Sequence, residues 1–248
     1  MSGHSKWATI KRKKAAVDTA RGKVFTKLIK EITIAARDGG GDPEGNPRLR
    51  LAIQNAKANN MPADNIKRAL QRGTGELPGV TYEEVTYEAY GPAGIAILIS
   101  CVTDNKNRVV SELRHTLERN GGKLAEAGSV AWAFQKKGVL TVPKQYDEDD
   151  VLTTILDAGA EDLKTEEDAF EITTPPENFE AVRKALEGKG IKVDTAEIQM
   201  VPQNTLRVEG KDAEHVLKLM EVLEEHDDVQ QVYSNFDIDV KIMASFHA

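Results

Sequence analysis

Apolar residues near the start of the chain recur at helical spacing. Phe25, Leu28, Ile29, Ile32 and Ala36 fall on one face of a helix predicted from Gly22 to about Asp38. A basic segment from about Ser5 to Ala20 leads into it, and Gly39-Gly40-Gly41-Asp42-Pro43 stops it. A second helix begins at Asn46-Pro47 and turns Leu49, Ala52, Ile53 and Ala56 inward. A third starts at Pro62, carries Ile66, Ala69 and Leu70, and ends at Gly73-Thr74-Gly75. Short helices of this kind can share one small core. The glycine-rich breaks lack the preceding strand and following Gly-Lys-Ser/Thr of a nucleotide loop, and read as loops.

Beyond Glu76-Leu77-Pro78-Gly79 the period shortens towards two. Tyr82–Tyr90 alternates, Gly91-Pro92-Ala93-Gly94 signals a hairpin, and Ile95–Val102 reads as a buried strand. A helix over Asn105–Arg119 ends at Asn120-Gly121-Gly122, and an irregular strand region spans Lys123–Phe134. Residues 135–202 then give strand, helix, two strands, helix and strand, a complete ferredoxin-like unit. Strand, helix and strand over Thr205–Val208, Ala213–Glu224 and Val229–Phe236 lack a partner, which the segment 95–134 supplies. The predicted fold class is α+β: an N-terminal three-helix domain followed by two ferredoxin-like α/β domains, one inserted in the other. The expected bounds are 1–76, then 77–134 with 203–248, with 135–202 inserted.

Charge divides the same way. The chain carries −7 overall, yet Met1–Arg37 holds ten basic residues against two acidic ones. Residues 1–75 sum to +10 and the remainder to −17, so a basic end on an acidic body points to a polyanionic partner. On the first long helix Lys23, Lys27, Lys30 and Arg37 fall opposite the apolar face, interrupted by Ile34. A solvated face is the ordinary reading of such a stripe. The near absence of interspersed carboxylates favours nucleic acid.

Length suits one to three domains with sizeable cores. No apolar run approaches the ~18 residues of a membrane span, and no secretory signal follows the basic start. The lone cysteine, Cys101, excludes an internal disulfide and reads as a core residue. These features fit a cytoplasmic protein.

Chemistry-bearing clusters are sparse. The five histidines show no metal-ligand spacing, so neither a metal nor a cofactor is expected. Asp147-Glu148-Asp149-Asp150 precedes a helix and reads as its cap, and His226 ends another helix. No nucleophile or carboxylate pair suggests an enzyme. His4-Ser5-Lys6-Trp7 leaves two readings: the indole stacks on a base while cations hold phosphate, or it anchors the terminus onto the helical domain. Trp132, alternating in Ser129–Phe134, is expected in the core.

Gly3-His4-Ser5-Lys6-Trp7, Arg21–Ile29, Asn55–Pro62, Arg72–Gly75, Tyr90-Gly91-Pro92 and Gly128–Trp132 together resemble the YebC/PmpR family. Members more often carry Asn at the position of Thr9 and Gly at that of Ala93; neither difference removes a charge. The resemblance implies a helical first domain, two α/β domains around a central cavity, and a bacterial cytoplasmic DNA-binding transcriptional regulator. A mitochondrial relative is a translational activator, and bacterial relatives are linked to the ribosome.

The leading expectation is thus a non-enzymatic nucleic-acid-binding regulator. Its candidate contacts are His4, Lys6, Trp7, Lys11, Arg12, Lys13, Lys14, Arg21, Lys23, Lys27 and Lys30. Its partner is DNA, or alternatively rRNA, tRNA or the ribosome in a translation role, with no membrane. No recognition helix rich in Asn, Gln and Arg stands out for reading base edges. A small-ligand sensor or enzyme using the inter-domain cavity is the third reading.

Overall fold

The computed structural model describes Trp7 and residues 21–166 and 169–246. The first body is helical: α1 (Arg21–Gly39), α2 (Pro47–Ala58) and α3 (Ala63–Gly73). Ile32, Ala35, Leu49, Ala52, Ala56 and Ile66 close its core. Asn46 sets the corner between the first two helices. Its side-chain oxygen accepts from Leu49 N (3.0 Å) to cap α2, while its amide donates to Ala35 O (2.7 Å) and Gly40 O (2.9 Å). Gly73 lets α3 lie close on α1, because a Cβ there would stand 2.4 Å from Thr33 O.

Two four-stranded antiparallel sheets follow. One comprises β1 (Glu83–Tyr90), β2 (Ala96–Thr103), β3 (Lys123–Leu124) and β9 (Val229–Ser234), in the order β3-β1-β2-β9. Helices α4 (Lys106–Arg119) and α7 (Gly210–Glu225) pack on it, with α8 (Val240–Phe246) beside α7. The other comprises β4 (Phe134–Pro143), β5 (Asp162–Thr165), β6 (Ala169–Thr174) and β7 (Thr195–Pro202), in the order β5-β6-β4-β7. Helices α5 (Glu148–Asp157) and α6 (Phe179–Gly188) close its core. Asp147 caps α5 as expected, accepting from Asp149 N (3.0 Å) and Asp150 N (3.1 Å).

The class matches the sequence reading, but two details differ. The strand expected from Thr205–Val208 does not enter the first sheet; β1 fills that position through its hairpin with β2. The short β8 (Leu206–Arg207) instead pairs in parallel with β10 (Phe236–Asp237). Trp132 is not in the core either. Ala131–Ala133 forms a 3-10 turn, and the indole is 71% exposed. Glu88 explains the break in alternation: its buried carboxylate draws in the amides of Gly128, Val130 and Ala131, which a strand would pair elsewhere. Among the described residues no helix is long and apolar enough to cross a membrane.

Candidate nucleic-acid interface

The lysine stripe of α1 faces inward. Lys27 Nζ donates to Glu224 O (2.6 Å) and Lys23 Nζ to Glu225 O (3.3 Å). Lys30 Nζ reaches Asp227 O (2.9 Å) and the carboxylate of Asp228. Helix α7 has no basic residue in its last turn. Its terminal carbonyls, left without intrahelical partners and at the negative end of the dipole, are therefore satisfied from another body of the fold. The row of outward ammonium groups expected at Lys23, Lys27 and Lys30 is thereby corrected. Lys30 is buried, Lys27 half-buried, and only Lys23 exposed. Ile34, the apolar interruption of the stripe, is fully buried: both sides of α1 are covered.

Asp228 organises this contact. One oxygen accepts from Lys30 and the other from Arg108 (2.5 Å) and Thr103 Oγ1 (3.3 Å). Burial opposes its ionisation, but the hydrogen bonds from Lys30 and Arg108 prevail and hold its pKa below the usual carboxylate range. Glu112, His226 and Asp228 bring ligand-type atoms together, yet protein groups already use them. His226 Nδ1 accepts from Asp228 N (3.1 Å), so its hydrogen lies on Nε2, 2.9 Å from Glu112.

Trp7 is buried, and its indole N–H donates to Glu224 Oε1 (3.1 Å). Its ring lies 6.1 Å from that of Phe246, inside the core that α7 shares with the first sheet. The indole is thus an anchor rather than an open stacking face, and it anchors onto the α/β body, not the helical one. His4, Lys6, Lys11, Arg12, Lys13 and Lys14 lie outside the described residues, as does the side chain of Arg21.

Other cations of the helical body differ in how they are used. Arg37 binds Asp38 (2.8 Å) and Tyr82 O, and Arg50 reaches Pro43 O (3.1 Å). Arg48 bridges Glu31 (2.8 Å) and Glu84; burial works against its charge, and these hydrogen bonds raise its pKa nonetheless. Lys57, Lys67, Arg68 and Arg72 are exposed, with no carboxylate at ion-pair distance among the described residues. Residues 47–73 hold six basic residues and one acidic one. This second basic surface, on α2 and α3, does not stand out in the sequence, because its charges are scattered between apolar positions.

Two family models match in sequence: the "TACO1/YebC protein N-terminal domain" over residues 5–76, and the "TACO1/YebC second and third domain" over 82–236. The chain belongs to the TACO1/YebC family. A TACO1/YebC relative from Pelotomaculum thermopropionicum, named "Probable transcriptional regulatory protein", is 57% identical over 242 residues, covering 96% of this chain and 100% of that one. One of the same name from Chloroherpeton thalassium is 58% identical over 240 residues, 96% of each. The crystal structure of a conserved hypothetical protein from Aquifex aeolicus superposes with a TM-score of 0.82 at 45% identity, covering 91% of this chain and 93% of that one. In this TACO1/YebC chain Trp7 and Lys23 thus serve contacts between bodies, whereas Trp132 stands open.

Proposed function

We propose that this protein is a non-enzymatic, cytoplasmic regulator of gene expression that binds nucleic acid through its phosphate backbone. Relatives matching nearly the whole chain carry the name "Probable transcriptional regulatory protein", which supports a DNA-binding transcriptional role. The observation that carries the reading is the cation surface of α2 and α3. Lys57, Lys67, Arg68 and Arg72 sit on a body with a large positive excess, attached to acidic domains. Phosphates need only such cations at spaced positions, and binding of this kind falls steeply with salt. The basic run Lys11, Arg12, Lys13 and Lys14, with Lys6 and Arg21, adds to the same charge. Lys23 extends it at the edge of the contact with α7.

Anisotropy titration of labelled duplex DNA over a range of salt concentrations tests this. Replacing Lys57, Lys67, Arg68 and Arg72 by Gln should weaken binding and flatten the log–log salt slope by ~0.9 for each phosphate no longer neutralised. An unchanged slope would remove this surface from the reading. Clear preference for folded RNA over duplex DNA would move the role from transcription to translation.

A further inference from the structure

A tryptophan held rigidly in the open is the least explained group on the surface. Trp132 is 71% exposed, and its setting fixes it there. The indole N–H donates to Ser129 O (3.0 Å), and Tyr90 Oη donates to the same oxygen (3.2 Å). Beneath the turn, Glu88 accepts from Gly128 N (2.6 Å), Val130 N (2.6 Å) and Ala131 N (2.9 Å). Gln203 ties the far side, its side chain donating to Trp132 O (3.1 Å) and its backbone N–H to Ala133 O (2.8 Å). Val130 is buried among Leu98, Phe134 and Tyr233. Burying a carboxylate is costly unless it is fully hydrogen-bonded, and here that carboxylate orders the turn that presents the indole.

The neighbourhood indicates what the indole meets. Lys123 Nζ lies 5.7 Å from the Tyr90 ring centroid. Beyond Tyr90 opens a cleft of about 420 Å³ walled by Gly91, Gly94, Gly121, Gly122 and Lys123, with no carboxylate in its lining. Glycine walls admit close approach of a backbone, the lysine supplies a cation, and the indole offers a flat π face. The cleft is walled by glycine, tyrosine and lysine rather than by apolar side chains, which suits a sugar–phosphate backbone, and Tyr90 links it to the indole through their shared acceptor, Ser129 O.

We infer that Trp132 is a stacking platform for an unpaired nucleobase, with Lys123 taking an adjoining phosphate. This rests on the nucleic-acid reading above and adds a site for single strands, since a paired base in a duplex offers no free face. The platform lies on the α/β body, apart from the cations of α2 and α3.

The test uses the full chain, fluorescein-labelled oligo-dT and a duplex of the same length. Trp132→Ala should weaken oligo-dT binding about tenfold, leave duplex binding and the salt slope unchanged, and be largely rescued by Trp132→Phe. In Trp7→Phe protein, where Trp132 is the remaining tryptophan, oligo-dT should quench the emission and shield it from iodide. Oligo-dT binding by Trp132→Ala equal to wild type would overturn the platform while leaving the phosphate reading standing. An indole still open to iodide at saturating oligo-dT would do the same and leave the patch to a protein partner. Wild-type protein that binds neither strand nor duplex would overturn both.

Discussion

Lys30 and Asp228, 198 residues apart in sequence, meet as a buried ion pair between the helical body and the turn after α7. Lys30→Met leaves one buried oxygen of Asp228 without its donor while Arg108 and Thr103 still hold the other. It is therefore expected to cost about 1–3 kcal/mol in urea unfolding. Lys23→Met, at the exposed edge of the same contact, should stay within about 0.5 kcal/mol. A Lys30→Met/Asp228→Asn double variant should recover part of the loss.

Charge reversal of Lys23, Lys27 and Lys30 looks, from sequence, like removal of a phosphate grip. Their carbonyl partners at Glu224, Glu225 and Asp227 predict a different result. Three carboxylates would face the negative end of α7, and the melting temperature should fall. Unchanged melting with abolished duplex binding would return the stripe to the phosphate role.

Asp228 and Glu88 give a pH signature. In Glu88 burial works against the charge, and backbone hydrogen bonds from Val130, Gly128 and Ala131 still hold its pKa down. A carboxylate whose folded pKa is depressed contributes stability that is complete above its unfolded value, about 4. That stability is lost as pH falls below this value and through the folded pKa. Urea midpoints measured down this range should fall less steeply in Asp228→Asn than in wild type, from a lower value at neutral pH. Equal slopes would contradict the assignment.

Trp7→Ala should destabilise the fold by about 3–5 kcal/mol, and Trp7→Phe by less, because the ring fills a core site. Calorimetry of both variants checks this. A near-neutral Trp7→Ala would mean the indole spends its time outside that core.

Ala93 has φ +58°, a left-handed backbone that a side chain strains. Ala93→Gly should raise stability by about 0.5–1 kcal/mol, with relief of strain partly offset by the freer unfolded chain. Urea unfolding of the variant measures the difference.

Local signals accounted for much of this architecture. Asn46-Pro47 placed the start of α2, the period of 3.6 placed the inner face of α1, and strand–helix alternation gave the succession of elements that build the second sheet. These depend on neighbours in sequence, where capping, turn chemistry and side-chain spacing act directly.

Periodicity names the face of an element that is buried, but not whether its other face is covered too. Ile34 was the one residue on the lysine face of α1 that hinted at cover, and only the end of α7 showed what covers it. The hairpin of β1 with β2 was signalled locally, but the same limit applies to the pairing of β1 with β3 and to Trp132, which alternation assigned to a core. A single buried carboxylate on β1, Glu88, draws the amides 40–43 residues ahead of it into a turn and leaves the indole in water. The sequence determined the elements and their inner faces; tertiary structure decided which charges are spent within the fold and which remain for a partner, because hydrogen bonds between distant segments leave no local period.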